Sequence, residues 1–230
     1  MSYVFSLPQA SVPVAGSHDL FPVRRIYCVG RNYAEHAKEM GFSERELPFF
    51  FCKPADAVVP VAANANGKVA FPPRSENVHH EIELVVAIGK GGKDIPVAQA
   101  NGHVFGYAVG LDMTRRDLQF ALRDKGRPWE LGKAFDQSAP ITHLHPVAET
   151  GILEQAAIWL KVNGTERQRS DIAELIWSVP EIISNLSEYF TLEPGDLIFT
   201  GTPEGVGKVQ KGDILIGGID GLGELAITLV

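Results

Sequence analysis

The stretch His79-His80-Glu81-Ile82-Glu83-Leu84-Val85-Val86-Ala87-Ile88 constrains the fold more than any other part of the chain. Successive side chains of a strand point to opposite faces. Ile82, Leu84, Val86 and Ile88 therefore share one face, while Val85 and Ala87 share the other with Glu81 and Glu83. Both faces are apolar beyond the acids, so the segment reads as a buried strand. The two glutamates at its start are either the solvated rim of a sheet or an anionic site that a cation or a proton must neutralise. Like charges this close repel, and they are costly to take out of water.

The rest of the composition narrows the class. A chain of 230 residues, 45% hydrophobic and 21% charged, is long enough for one large globular domain with its own core, and disorder is not favoured. The net charge of −7 argues against nucleic acid or an anionic membrane as the main partner, because both need a basic surface. A divalent cation fits better. No run approaches the length of a membrane span, and Met1-Ser2-Tyr3-Val4-Phe5 lacks the charged and apolar regions of a secretory signal, so a cytoplasmic location is expected. Cys28 and Cys52 lie in strand-like apolar runs and are expected as two buried free thiols.

Glycine and proline (23 and 15 residues) are spread throughout, which suggests short strands joined by turns. Strand-like segments fall at 24–29, 49–52, 68–71, 80–88, 103–111, 157–163, 196–200, 213–217 and 223–229. Asn163-Gly164 is a hairpin signal, since this dipeptide accepts the positive φ of a tight turn. Helical patterns cover 31–40, 114–124 and 180–189. Strands do not alternate with long helices, so the reading is a β-rich α+β domain with few short helices.

Four constellations could carry chemistry. Val104–Leu111 is another apolar strand, and it ends on Asp112; with Glu81 and Glu83 this acid would complete an oxygen-only site suited to Mg²⁺, Mn²⁺ or Ca²⁺. Spacing alone is met as well by acids at solvated strand ends. His36 and Glu39 share a helix face, so the carboxylate can orient the imidazole for taking a proton from water; scattered surface charge satisfies the same pattern. Thr200-Gly201-Thr202-Pro203-Glu204-Gly205-Val206-Gly207-Lys208 has the wrong glycine spacing for a phosphate loop. Its small residues nevertheless let the backbone and the Thr202 hydroxyl approach an anionic ligand. Lys53, Arg116, Gln119 and Lys133 stand beside apolar segments, and each alone reads as an exposed side chain. His79-His80 and His143-x-His145 lack the partners of a zinc site and read as structural or surface residues.

In order along the chain, Cys28-Val29-Gly30-Arg31-Asn32-Tyr33-Ala34-Glu35-His36, His79 to Leu84, Gly106-Tyr107, Leu111 to Asp117, Trp177 to Ile183 and Thr200 to Gly207 resemble the fumarylacetoacetate hydrolase superfamily in its short, single-domain form. The resemblance runs from about residue 24 to the C-terminus. It implies a mixed, rolled β-sheet over 23–230 with 1–22 as an N-terminal arm, a homodimer, and Mg²⁺ or Mn²⁺ (Ca²⁺ as a further choice) held by Glu81, Glu83 and Asp112. It also implies His36 and Glu39 as the water-activating pair on a lid hinged at Gly30 and Gly41, mobile over 31–46 without ligand. The same resemblance implies that Lys133 lies near the reacting carbonyl and that Lys53, Arg116, Gln119 and Thr202 contact substrate. The implied activity is hydrolysis of the carbon–carbon bond of a 3-acylpyruvate, fumarylpyruvate first, through activated water and a metal-held enolate. Oxaloacetate decarboxylase or tautomerase and 2-hydroxyhepta-2,4-diene-1,7-dioate isomerase are the enzymatic alternatives. A divalent-metal-stabilised binding protein is the non-enzymatic one.

Overall fold

The computed structural model describes residues 3–33 and 45–230. The strand Ile82–Ile88 is buried at every position and lies inside an eight-stranded sheet, between Asp196–Phe199 and Val104–Leu111. Its alternation sorts side chains into two cores. Ile82, Leu84, Val86 and Ile88 join the larger one, together with Ile158, Leu160, Leu215 and Ile227 of a second, five-stranded sheet and with Ile182, Ile183 and Leu186 of the helix Val179–Tyr189. Val85 and Ala87 enter the smaller core with Leu197, Phe199, Ile26 and Ile141. Val12, Val14, Phe21 and Val23, from the N-terminal hairpin Ser11–Pro13 and Leu20–Pro22 and the residues just after each strand, cover that face. The sheets are mixed: Asp196–Phe199 runs parallel to Arg25–Gly30 and antiparallel to Ile82–Ile88. The architecture is therefore the β-rich, mixed-sheet α+β fold read from the sequence.

The longer elements follow their local signals. The hairpin Ala157–Val162 to Thr165–Asp171 turns at Asn163 and Gly164, with φ of 51° and 79°. The helix Val179–Tyr189 starts at Ser178, whose backbone N–H donates to Glu181 at 2.9 Å in a capping box. The helix expected over 114–124 forms at Arg116–Arg123, after Thr114–Arg115 has paired with His79 and Val78. Strands of three residues, such as Val58–Pro60, Ala139–Ile141 and Gly207–Val209, were not read from the sequence, because two-residue alternation cannot register over so short a span.

One expectation is corrected. Cys28 is buried, but Cys52 is exposed. It lies on Phe49–Lys53, the edge strand of the large sheet, where apolar sequence does not guarantee a covering layer.

Candidate active site

Register builds the site. Ile82 pairs with Leu111 and Glu83 with Gly110, and the Asp112 N–H donates to the Glu81 carbonyl at 2.9 Å. Asp112 thus stands opposite Glu81 on an antiparallel ladder, and Glu83 lies two residues along on the same face. Ligand oxygens of the three acids lie within 4.8 Å of one another, and all three residues are buried, with Asp112 fully so. A donor set of buried carboxylate oxygens fits a hard divalent cation such as Mg²⁺ or Mn²⁺.

Three buried cations surround the acids. Lys133 Nζ lies 2.7 Å from both Glu81 Oε2 and Asp112 Oδ2. Arg116 Nη2 pairs with Glu81 Oε1, and Nη1 donates to Gln119 Oε1 at 2.6 Å. Lys53 Nζ lies 2.8 Å from Asp112 Oδ1 and donates to the carbonyls of Met113 and Lys133. Burying six ionisable groups together is a poor way to stabilise a fold, since desolvation offsets most of the attraction. Such a cluster in a pocket points instead to function.

Electrostatics differ from residue to residue. Burial pushes the Glu83 carboxyl well above the usual range, Asp112 and Glu81 add to the push, and Lys133 and the Gly201 N–H oppose it. That N–H donates to Glu83 Oε2 at 2.8 Å. Burial works to lower the Lys133 ammonium, but Asp112 and Glu81 outweigh it, so Lys133 is held protonated. Burial and the Arg116 charge bring His79 down to about 4.

The residues singled out in the sequence take distinct positions. Arg116, Gln119, Lys133 and Thr202 line one pocket with the three acids. Lys53 lies behind Asp112: its ammonium forms an ion pair with the carboxylate and donates to two backbone carbonyls. Thr202 donates its hydroxyl proton to the Ile82 carbonyl at 2.8 Å and accepts from Gln168, so toward the pocket it offers an acceptor. His36 and Glu39, and most of the lid segment, lie outside the described residues.

Some contributors had no clear sequence signal. Gln168 bridges His80, Thr202, Pro203 and the Ile82 N–H from within Thr165–Asp171, where it is the one buried side chain on an exposed polar strand. Asn32, fully buried, receives the Trp177 N–H and donates to the Thr200 and Trp177 carbonyls, clamping the loop that carries Gly201 and Thr202. Phe49, Phe51, Phe120 and Trp129 wall the pocket. The strand at 49–52 was legible, but the direction of its side chains was not.

Comparison with known proteins adds independent support. The profile of the fumarylacetoacetate (FAA) hydrolase C-terminal family matches residues 25–230. A crystal structure of fumarylpyruvate hydrolase from Pseudomonas aeruginosa in complex with Mn²⁺ and pyruvate is 62% identical, with a TM-score of 0.98 over 100% of this chain and 99% of that one. Fumarylpyruvate hydrolase from Ralstonia sp. is 48% identical over 184 residues, 80% of this chain and 93% of the relative. Mitochondrial oxaloacetate tautomerase FAHD1 from Mus musculus is 45% identical over 199 residues, 86% of this chain and 88% of the relative.

Proposed function

This chain belongs to the fumarylacetoacetate hydrolase C-terminal family, and from that premise we propose that it is a metal-dependent hydrolase of the carbon–carbon bond of 3-acylpyruvates, with fumarylpyruvate as its substrate and fumarate and pyruvate as products. The observation that carries this reading is the convergence of Glu81, Glu83, Asp112 and a protonated Lys133 on one pocket. A bound Mg²⁺ or Mn²⁺ would supply a template and Lewis acid for the α-keto acid end.

The chain's own residues supply the rest. Glu81 and Asp112 use two of the three N–H donors on Lys133, leaving one for the oxyanion that develops as water adds to the distal carbonyl. His36, oriented by Glu39, takes the water proton. The water oxygen bonds to the distal carbonyl carbon, and the bond from that carbon to the methylene carbon breaks. Its electron pair passes to the pyruvyl fragment, which is then protonated. Arg116, bonded to Glu81 and Gln119, sets the orientation of both.

We assign the chain a homodimer and the cytoplasm as its setting, in keeping with the family and with two unpaired cysteines. Oxaloacetate chemistry is the second reading, favoured by the 45% identity to oxaloacetate tautomerase. The test is to remove metal with chelator, restore Mg²⁺ or Mn²⁺, and compare rates on fumarylpyruvate, acetylpyruvate, fumarylacetoacetate and oxaloacetate. Metal-dependent turnover fastest on fumarylpyruvate is expected. Turnover of oxaloacetate alone would favour the second reading, and inactivity on all four with metal bound would sink the hydrolase.

A further inference from the structure

The helix Arg116–Arg123 presents a stripe of pocket-lining residues at Arg116, Gln119, Phe120 and Arg123, a spacing that keeps them on one helix face. Arg116 and Gln119 are buried at the floor beside Glu81, whereas the Arg123 side chain is 38% exposed, so the stripe runs from the acids outward. Seven residues of helix rise about 10 Å. A second guanidinium, Arg31, lines the same pocket from the segment after Gly30. Among the described residues the pocket therefore has four cations, two at the floor and two farther out.

Both outer arginines are placed by aromatic rings. The Arg123 guanidinium stacks 4.4 Å from the Phe120 centroid, and that of Arg31 lies 5.4 Å from Phe49. The Phe49 ring fills the space where a Cβ on residue 30 would stand, 2.0 Å away, so glycine before Arg31 lets the ring pack against the backbone. Arg31 itself has φ of 57°, a left-handed backbone that a long side chain rarely adopts. Strain of this kind persists only where surrounding structure enforces it, and active sites and ligand clamps are places where it collects. The two charges also sense each other: burial lowers the Arg31 guanidinium, Glu46 offsets this, and Arg123 adds to the lowering.

We propose that Arg123 and Arg31 form an outer anion subsite that receives the carboxylate at the far end of the acyl group, selecting acylpyruvates that carry two carboxylates over those with an uncharged acyl chain. The inference rests on the acylpyruvate reading of the same pocket. Six bonds separate the terminal carboxyl carbons of fumarylpyruvate, as many as in two extended residues, or about 7 Å. Long arginine side chains cover the difference from the helix rise. Arg123 donates Nε and Nη2 to the exposed Asp124 carboxylate, at 2.9 and 2.8 Å, leaving the Nη1 hydrogens for a ligand. Arg31 lies 3.9 Å from the exposed Glu46 carboxylate. The Arg123–Asp124 pair is exposed, so it is weak and exchangeable, and a substrate carboxylate in the pocket competes with it.

The test uses the metal-loaded protein and compares kcat/KM for fumarylpyruvate and acetylpyruvate in Arg123→Met, Arg123→Lys and Arg31→Met. Arg123→Met is expected to lower the fumarylpyruvate value about tenfold or more relative to the acetylpyruvate value, chiefly through KM, with Arg123→Lys recovering part of the preference because it keeps charge without the planar fork. Arg31→Met is expected to shift the ratio in the same direction. Equal losses on both substrates in the two Met variants, with the parent active, would overturn the subsite and leave the hydrolase standing. A parent inactive on both substrates would instead overturn the acylpyruvate reading on which the subsite depends.

Discussion

Lys133 shows how a residue changes meaning once its neighbours are known. In Leu131-Gly132-Lys133-Ala134-Phe135 it is one polar side chain among apolar ones; in the fold it bridges Glu81 and Asp112, 52 and 21 residues away along the chain. No local pattern reports such a partner. The acids were more legible, because their alternation on a strand is local. Their roles separate from that of the proposed base by experiment. Glu81→Ala and Glu83→Ala are expected to lower metal affinity about 100-fold or more, measured by titration calorimetry, and to lose activity with it. His36→Ala is expected to lower kcat by about 10²–10⁴ with metal affinity retained. Activity lost with full metal binding in the glutamate variants would refute their assignment as ligands.

Among elements, the ladder between Ile82–Ile88 and Val104–Leu111 does most to position the site, since it sets Asp112 against Glu81. Both strands were readable as apolar runs. Their register was not, because it depends on which faces the other layers bury. The loop after Asp196–Phe199 brings the Gly201 N–H to Glu83. Gly201 has φ of 101°, and a Cβ there would lie 2.7 Å from that of Asn32, the residue that clamps this loop. Gly201→Ala is therefore expected to cost about 1–3 kcal/mol in urea unfolding, through backbone strain and the crowded clamp. It should also weaken metal binding, since Glu83 loses a fixed partner. A variant as stable as the parent would show that the loop relaxes freely.

At the scale of the molecule, two apolar cores sandwich the sheet that carries the acids, so the charged cluster sits where water cannot screen it. Three carboxylates are matched there by Lys53, Arg116 and Lys133, and a bound divalent ion would add stability in proportion to its occupancy. At 100 times its dissociation constant, Mg²⁺ or Mn²⁺ is expected to stabilise the fold by about 2.7 kcal/mol. For a chain of this size that raises Tm by roughly 5–10 °C over chelated protein in a thermal melt. Identical melting with and without the ion would mean that the carboxylates do not hold it. By itself the sequence determined the alternation that puts Glu81 and Glu83 on one strand face, the Asn163-Gly164 turn and, to within a residue of its start, the helix read over 180–189, because each follows from the covalent geometry of neighbouring residues. Only the tertiary structure decided that Asp112 faces Glu81, that Lys53 stands behind it, and that Gln168 and Asn32 hold the Thr202 loop. Those contacts join segments far apart in the chain, and their pairing is chosen by the burial of the whole core.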